Sequence, residues 1–432
     1  DFSYNFTNSS RLPGFSGNAP LRMMFNDPGD DDFSPDFNFR TGLTRDFNTD
    51  ALIANPNENQ ELTFLANRNN SDNITLNTRL SPFKDFRIDL SWDVNWNNRN
   101  TESITLTPTN DINTVFNQSG DVRASVWAFG EGYNRLFRTQ LQTAIDDIQV
   151  NDNGMPISTI SDSTGNSDGR TVLNRGELQA DFRSAYLGGA GSLGDKDFAT
   201  LPKPSWRVTW SGLESKISFL ENMFTRITLN HNYSGEYRVG WRFNTDAGSI
   251  SDRNIGGFTV VNERPRFEAN TLNIQKNFNP MVGLNMTWKS GVRMNLSYNK
   301  SETTSFALSN TRVSESVSKG FKMSMNYSVR DFKIPLFSRL RNTVDFTVNA
   351  GFTQDIEQNF DLSSDISSAL EQVQNQFVDD ADQFEPLPLP QTGQSRVNIS
   401  TIIGYQFSSN VKANFEYSFR KLIPKSSRVF ER

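Results

Sequence analysis

Cysteine is absent from the 432-residue chain. No disulfide framework, thiolate metal site or thiol nucleophile is therefore available. Histidine occurs once, as His231. That excludes a multi-histidine metal site and leaves one imidazole for acid/base work. No run approaches the ~18 consecutive apolar residues of a membrane-spanning helix. Apolar residues make up only 35%, against roughly 45–50%, glycine included, in a soluble domain. An excess of basic charge is also lacking: the net charge is −6, which argues against nucleic acid as a main partner. The chain opens on neither Met nor a signal peptide. Its first residues, Asp1-Phe2-Ser3-Tyr4-Asn5-Phe6, already alternate like a strand, so Asp1 reads as the start of a processed or clipped piece.

What the chain does have is aromatic residues, 12% of the total with 35 Phe. Disordered chains are poor in them. They recur with a period of two over segments of about ten residues. Phe86, Ile88, Leu90, Trp92, Val94 and Trp96 alternate with Arg87, Asp89, Ser91, Asp93 and Asn95. Phe321, Met323, Met325, Tyr327 and Val329 alternate with Lys322, Ser324, Asn326 and Ser328. Leu284 to Trp288, Val397 to Phe407 and Val411 to Phe419 repeat the pattern. Successive strand side chains point to opposite faces, so each segment has one apolar and one polar face.

A soluble sandwich would bury the apolar face against a second sheet. A membrane barrel would turn it to lipid and line a wet lumen with the polar face. Charges such as Arg87, Asp89 and Asp93 suit a lumen. Aromatics at segment ends (Phe86, Trp96, Trp288, Tyr298, Phe407, Phe419) suit interface girdles. The expected fold is an all-β, transmembrane antiparallel barrel wall of about fifteen strands with small helical and loop insertions. Within it, 1–129, 205–353 and 396–432 read as barrel strands, the first block with an acidic loop at 15–60. Residues 130–204 read as a helical or loop insertion, and 354–395 as an insertion on the extracellular side. A hairpin centred on Asn310-Thr311 pairs Val292 with Val329, Met294 with Tyr327 and Glu302 with Lys319. The short turns at Lys289-Ser290-Gly291 and Ser408-Ser409-Asn410 fall on the opposite, periplasmic side.

Candidate chemistry is sparse. His231, in Asn230-His231-Asn232-Tyr233, has no Ser or carboxylate constellation fixed around it and reads as a wall residue. Asp27, Asp30, Asp31 and Asp32 could ligate a cation through carboxylates, but they lack EF-hand spacing. A solvated acidic loop is the plainer reading. The Gly188–Gly194 run has no Gly-Lys-Ser/Thr ending and reads as a loop rather than a phosphate cradle. Asp162-Ser163-Thr164 matches a short O-glycan acceptor pattern and equally a Ser-rich loop. No catalytic residue and no cofactor is expected.

Several phrases occur in a particular order. Leu12-Pro13-Gly14-Phe15 follows an opening strand. Next come Leu80-Ser81-Pro82-Phe83-Lys84-Asp85-Phe86 and Leu201-Pro202-Lys203-Pro204-Ser205-Trp206. Ile227-Thr228-Leu229-Asn230-His231-Asn232-Tyr233 and Phe278-Asn279-Pro280-Met281-Val282-Gly283-Leu284 complete the set. In this order, from Leu12 past Arg330, the chain resembles the C-terminal part of the SprA/Sov family. That family forms the outer-membrane translocon of the type 9 secretion system and supports gliding motility. The resemblance implies a piece of one very large barrel that passes folded cargo through a wide lumen and a lateral gate. The implied partners are the rest of the translocon polypeptide, a PorV-type barrel at the gate, a plug protein, secreted cargo and outer-membrane lipid. It implies no enzyme activity. The chain departs from the family in its long Thr353–Ser395 segment and in ending at Val429-Phe430-Glu431-Arg432 without a terminal aromatic strand. Rival readings are a complete smaller porin or TonB-dependent transporter, a barrel enzyme needing a Ser/His pair, and a soluble β-rich adhesin.

Overall fold

The computed structural model describes residues 1–11, 62–106, 112–146, 148–150, 156–158, 170–172, 175–188, 200–243, 250–255, 258–263, 267–333, 341–366, 368–369, 392–407 and 411–426. In chain order the strands begin with β1 (Phe2–Arg11), β2 (Leu62–Phe83), β3 (Phe86–Leu106) and β4 (Ile112–Ser125). Three short ones follow, β5 (Ile148–Val150), β6 (Pro156–Ser158) and β7 (Arg170–Val172), then β8 (Ser205–Ser211) and β9 (Phe224–Phe243). After β10 (Ile250–Ile255) and β11 (Phe258–Glu263) come β12 (Phe267–Trp288), β13 (Arg293–Ala307), β14 (Arg312–Lys333), β15 (Arg341–Asp361), β16 (Thr392–Gln406) and β17 (Lys412–Ser426). The helices are α1 (Tyr133–Asp146), α2 (Arg175–Leu187) and the short α3 (Ser218–Met223).

Among the described residues twelve strands form one sheet, against an expected count of about fifteen; β10, β11 and β7 pair in a second sheet and β5 with β6 in a third. Its neighbour order is β1-β2-β3-β4-β9-β12-β13-β14-β15-β16-β17. The pairings are antiparallel throughout, as successive hairpins require. Among the described residues β1 and β17 do not pair with each other, so the sheet is open between them.

One stave is split. β4 pairs with β3 from Val94 to Leu106, while β8 pairs with the same strand from Phe86 to Ser91. Both also pair with β9. The chain leaves the wall at Ser125 and returns at Ser205, and the Lys203 amide donates to the Ser125 carbonyl at 2.7 Å. Everything between is an excursion from the middle of a stave.

That excursion carries α1 and α2. In α1, Leu136, Phe137, Leu141 and Ala144 are buried, spaced along one face of the helix. In α2, Leu178, Phe182 and Ala185 are buried on one face. Both helices pack on the apolar face of the sheet, over Val122, Val239, Leu272, Phe306, Val313 and Phe360. Phe182 stacks on Phe306 at 5.1 Å and Tyr133 on Phe360 at 4.1 Å. The last carbonyls of α2 need partners. Gly188 N–H, Gly132 N–H and Gly130 N–H donate to Ser184, Ala185 and Tyr186 carbonyls. Gly188 (φ +67) is the left-handed C-terminal cap that a side chain would strain. The helices thus divide the apolar face into a covered end and a bare end.

The β13–β14 hairpin differs from its expected register by two residues. Met294 faces Met325, Tyr298 faces Phe321 and Lys300 faces Lys319, so Glu302 opposes Val317 rather than Lys319. The loop spans Leu308 to Thr311, with Thr311 at φ 55 and Leu308 buried against the helical layer. Burying Leu308 fixes the loop there. A two-residue slip keeps the faces, because strand side chains repeat every two residues. Across β16 and β17, Ile403 faces Phe415.

Candidate functional site

The polar face is a cross-strand network. Arg79 and Arg87 both bond Asp89, at 2.8 and 2.7 Å. The Thr75 and Ser91 hydroxyls donate to Asp93 at 2.9 and 3.1 Å. Arg123 meets Glu236 at 2.8 Å and Arg242 meets Glu268 at 3.0 Å. Farther round the sheet neutral pairs join them: Ser301 to Asn277 at 2.6 Å, Thr347 to Asn326 at 3.0 Å, and Ser314 to Asn359 at 2.5 Å, beside Ser318 on Asp355 at 2.7 Å and Lys412 on Asp345 at 3.5 Å. Ion pairs are thus denser toward one end of this face, and hydroxyl and amide bonds toward the other. Concavities of about 870 and 940 Å³ lie against it. Their linings include Asn295, Ser324 and Asn398 in one and Arg79, Asp89 and Arg207 in the other. Every donor that bonds within the wall is one fewer available to hold a passing surface.

The bare end of the apolar face is a belt. On β14 it runs from Phe321 to Val329, on β15 from Val344 to Phe352 and on β16 from Val397 to Tyr405, nine residues each by numbering. At ~3.3 Å rise and ~40° tilt such a segment covers ~23 Å of height, close to the ~25 Å apolar band of membrane barrels. Aromatics gather at its margins. Phe83, Phe86 and Trp210 pack together, with Phe83 and Phe86 at 4.6 Å, and Phe224 lies 4.8 Å from Trp288. At the other margin Tyr233 lies 4.3 Å from Trp206 and 5.0 Å from Phe129 and Phe278. Trp96 is a correction: it packs against the helical layer, not in a girdle, because its partner Val122 is covered there.

His231 lies on the belt side, between Trp206 and Phe278, with ring centroids 6.3 and 6.0 Å away. Its Nδ1 is 2.5 Å from the Met281 carbonyl. A carbonyl only accepts, so Nδ1 carries the proton. Met281 sits in a stretch of β12 with two extra residues, where the ladder breaks against both β9 and β13. His231 and Asn232, whose amide donates to the Asn279 carbonyl at 3.1 Å, satisfy backbone that the ladder leaves over. Among the described residues no hydroxyl or carboxylate hydrogen-bonds the His231 ring.

Asp27, Asp30, Asp31 and Asp32 lie outside the described residues, as do Asp162-Ser163-Thr164 and Gly189–Gly194. Among the described residues no three His, Asp or Glu side chains stand close enough to hold a metal ion. Sequence reasoning missed two hydroxyl–carboxyl clasps that hold the helices: Tyr133 to Asp365 at 2.6 Å and Tyr186 to Glu315 at 2.5 Å. It also missed α2. Leu178, Phe182 and Ala185, followed by Gly188, were the available signal.

No protein-family model and no curated protein matches the chain. A solved structure of OmpTdeltaL8, a loop L8 deletion mutant of OmpT, an outer membrane protein of Vibrio cholerae, is similar at 8% identity. The match covers 84% of this chain and 94% of that one, with a TM-score of 0.18. A likeness at that score carries no argument. The case rests on the molecule: a twelve-stranded antiparallel sheet, a wet face of networked polar groups, and an apolar belt of bilayer height with aromatic margins. Among the described residues no helix is long and apolar enough to cross a membrane. The chain is the wall of a transmembrane antiparallel β-barrel.

Proposed function

We propose that this chain forms part of the wall of a protein-conducting pore in a Gram-negative outer membrane, the translocon of the type 9 secretion system. Folded cargo would pass along its polar face, with gliding motility depending on that export. The rest of the translocon polypeptide would complete the barrel. A PorV-type barrel would receive cargo at a lateral gate, and a plug protein would close the other mouth.

One observation carries the reading beyond the ordered phrases: many charges of the polar face are paired within it. Arg123 pairs with Glu236 and Arg242 with Glu268, and Arg79 and Arg87 share Asp89. A surface of paired charges and amides has little left over with which to hold a protein that slides past. The wall itself performs no bond chemistry in this reading.

The test uses the absence of cysteine. Single cysteines at Ser324 (polar face) and Met325 (belt face) are placed in the full-length protein in cells. A short thiol cross-linker is added while a type 9 cargo is being exported. Cargo adducts are expected at the first position and not at the second. Export that proceeds with no adduct at Ser324→Cys, or with equal adducts at both, would sink the proposal.

A further inference from the structure

The rows of side chains above the belt on β13, β14 and β15 are layered. Tyr298, Phe321 and Phe352 stand side by side, each about two-fifths exposed. The next rung toward the helices is Lys300, Lys319 and Gln354. Lys300 and Lys319 are directly opposite each other on neighbouring strands. Like charges in that position repel and cost stability. Glu302, one rung farther, is shared by Lys276 and Lys300. Lys319 makes no ion pair among the described residues. Lys276, Lys300 and Lys319 thus stand around one shared carboxylate, Glu302, while Glu131 beside them pairs with Arg135 at 3.8 Å. The next acid, Glu315, lies one rung beyond Glu302 and is taken up by the Tyr186 hydroxyl. A cavity of about 160 Å³, bounded by Lys276, Glu302, Glu315 and the Gly130–Gly132 backbone, opens between this patch and the helical layer.

We propose that Lys300 and Lys319, with Lys276 beside them, bind the phosphate of a membrane lipid headgroup in the leaflet on the helix-covered side. The chemistry fits in three respects. A phosphate between the two lysines removes the repulsion that their register creates. Lysine holds phosphate as a point charge and needs no planar fork. The aromatic row directly below marks the level where acyl chains end and headgroups begin. Free inorganic phosphate would satisfy the first two respects but has no use for the third, so a lipid is the source. The inference rests on the belt and not on the secretion reading.

The protein is extracted from its native membrane in a nonionic detergent. Binding is followed by native mass spectrometry with three probes: bisphosphorylated lipid A, phosphate-free diacylglycerol, and inorganic phosphate. Wild type should prefer lipid A over diacylglycerol. Lys300→Gln with Lys319→Gln should weaken that preference about thirtyfold, two lysines each worth roughly fivefold near an anionic surface. Lys322→Gln, three residues along β14 but on the polar face, should leave it unchanged. If the double variant does not assemble, Lys319→Gln alone is used, since it breaks no ion pair, and a roughly fivefold loss is expected. An undiminished preference in the lysine variants, or an equal loss in Lys322→Gln, overturns the site. Displacement of lipid A by millimolar inorganic phosphate overturns the lipid as its source.

Discussion

The Tyr133 hydroxyl donates to the Asp365 carboxyl at 2.6 Å, joining residues 232 positions apart. It ties α1 to the helical segment 362–366 that follows β15. Burial, the larger cause, and the nearby Asp361 hold the Asp365 carboxyl above the usual carboxylate range, against the opposing pull of the Tyr133 hydrogen bond. A carboxyl whose folded pKa exceeds its unfolded one stabilises the docked state most when protonated. That contribution is complete below the unfolded value of ~4 and is lost as pH rises through the raised value. Hydrogen exchange across Tyr133–Asp146, corrected for intrinsic rates, should therefore increase over that interval. Asp365→Asn should flatten the dependence. A profile identical in the two proteins would remove Asp365 from the account.

The two faces make a sharp prediction in adjacent residues. Met325 belongs to the belt and Ser324 to the polar face. Arg at Met325 near mid-membrane should cost ~2–4 kcal/mol, whereas Arg at Ser324 should cost little. Folding titrations of the two variants in lipid vesicles measure the difference. Equal losses would mean that the alternation is misassigned.

Gly130 has a steric role that Gly240 does not. A Cβ at Gly130 would lie 2.0 Å from the Ala185 carbonyl oxygen, a backbone atom that cannot turn aside, while one at Gly240 meets nothing within 4 Å. Gly130→Ala should cost ~1–3 kcal/mol through forced displacement of α2. Gly240→Ala should be close to neutral. Limited proteolysis within 175–188 reports the release of α2 in the first variant and its absence in the second.

His231→Gln preserves a donor for the Met281 carbonyl and should leave assembly and export nearly intact. His231→Leu removes the donor and should cost about 0.5–1.5 kcal/mol. Heat-modifiability of the outer-membrane protein and export of a type 9 cargo are the readouts. A Gln variant that assembled normally but exported nothing would give His231 a role beyond the wall.

The wall strands were legible because period two is strictly enforced wherever one face meets lipid and the other water. Phe321–Val329 carries both constraints along its whole length. The covered end of the apolar face was not legible. Leu272, Phe306 and Val313 look the same in sequence whether lipid or a helix lies over them, since both offer an apolar partner. Trp96 was misplaced for that reason. The β13–β14 register escaped because a slip of two preserves every face, and only the burial of Leu308 decides it. The clasps at Tyr133 and Tyr186 join residues far apart in sequence, and no local spacing announces such a pairing.

The split stave separates two quantities that a barrel usually couples. In an uninterrupted hairpin wall, added chain lengthens a loop at a rim or adds strands and widens the circumference. Here the chain departs from mid-height at Ser125 and rejoins at Ser205, beside its point of departure. Material grafted at that junction, between Val126 and Pro204, changes neither the circumference nor the shear of the wall. The outward layer can therefore grow, shrink or be exchanged while the aperture keeps its size.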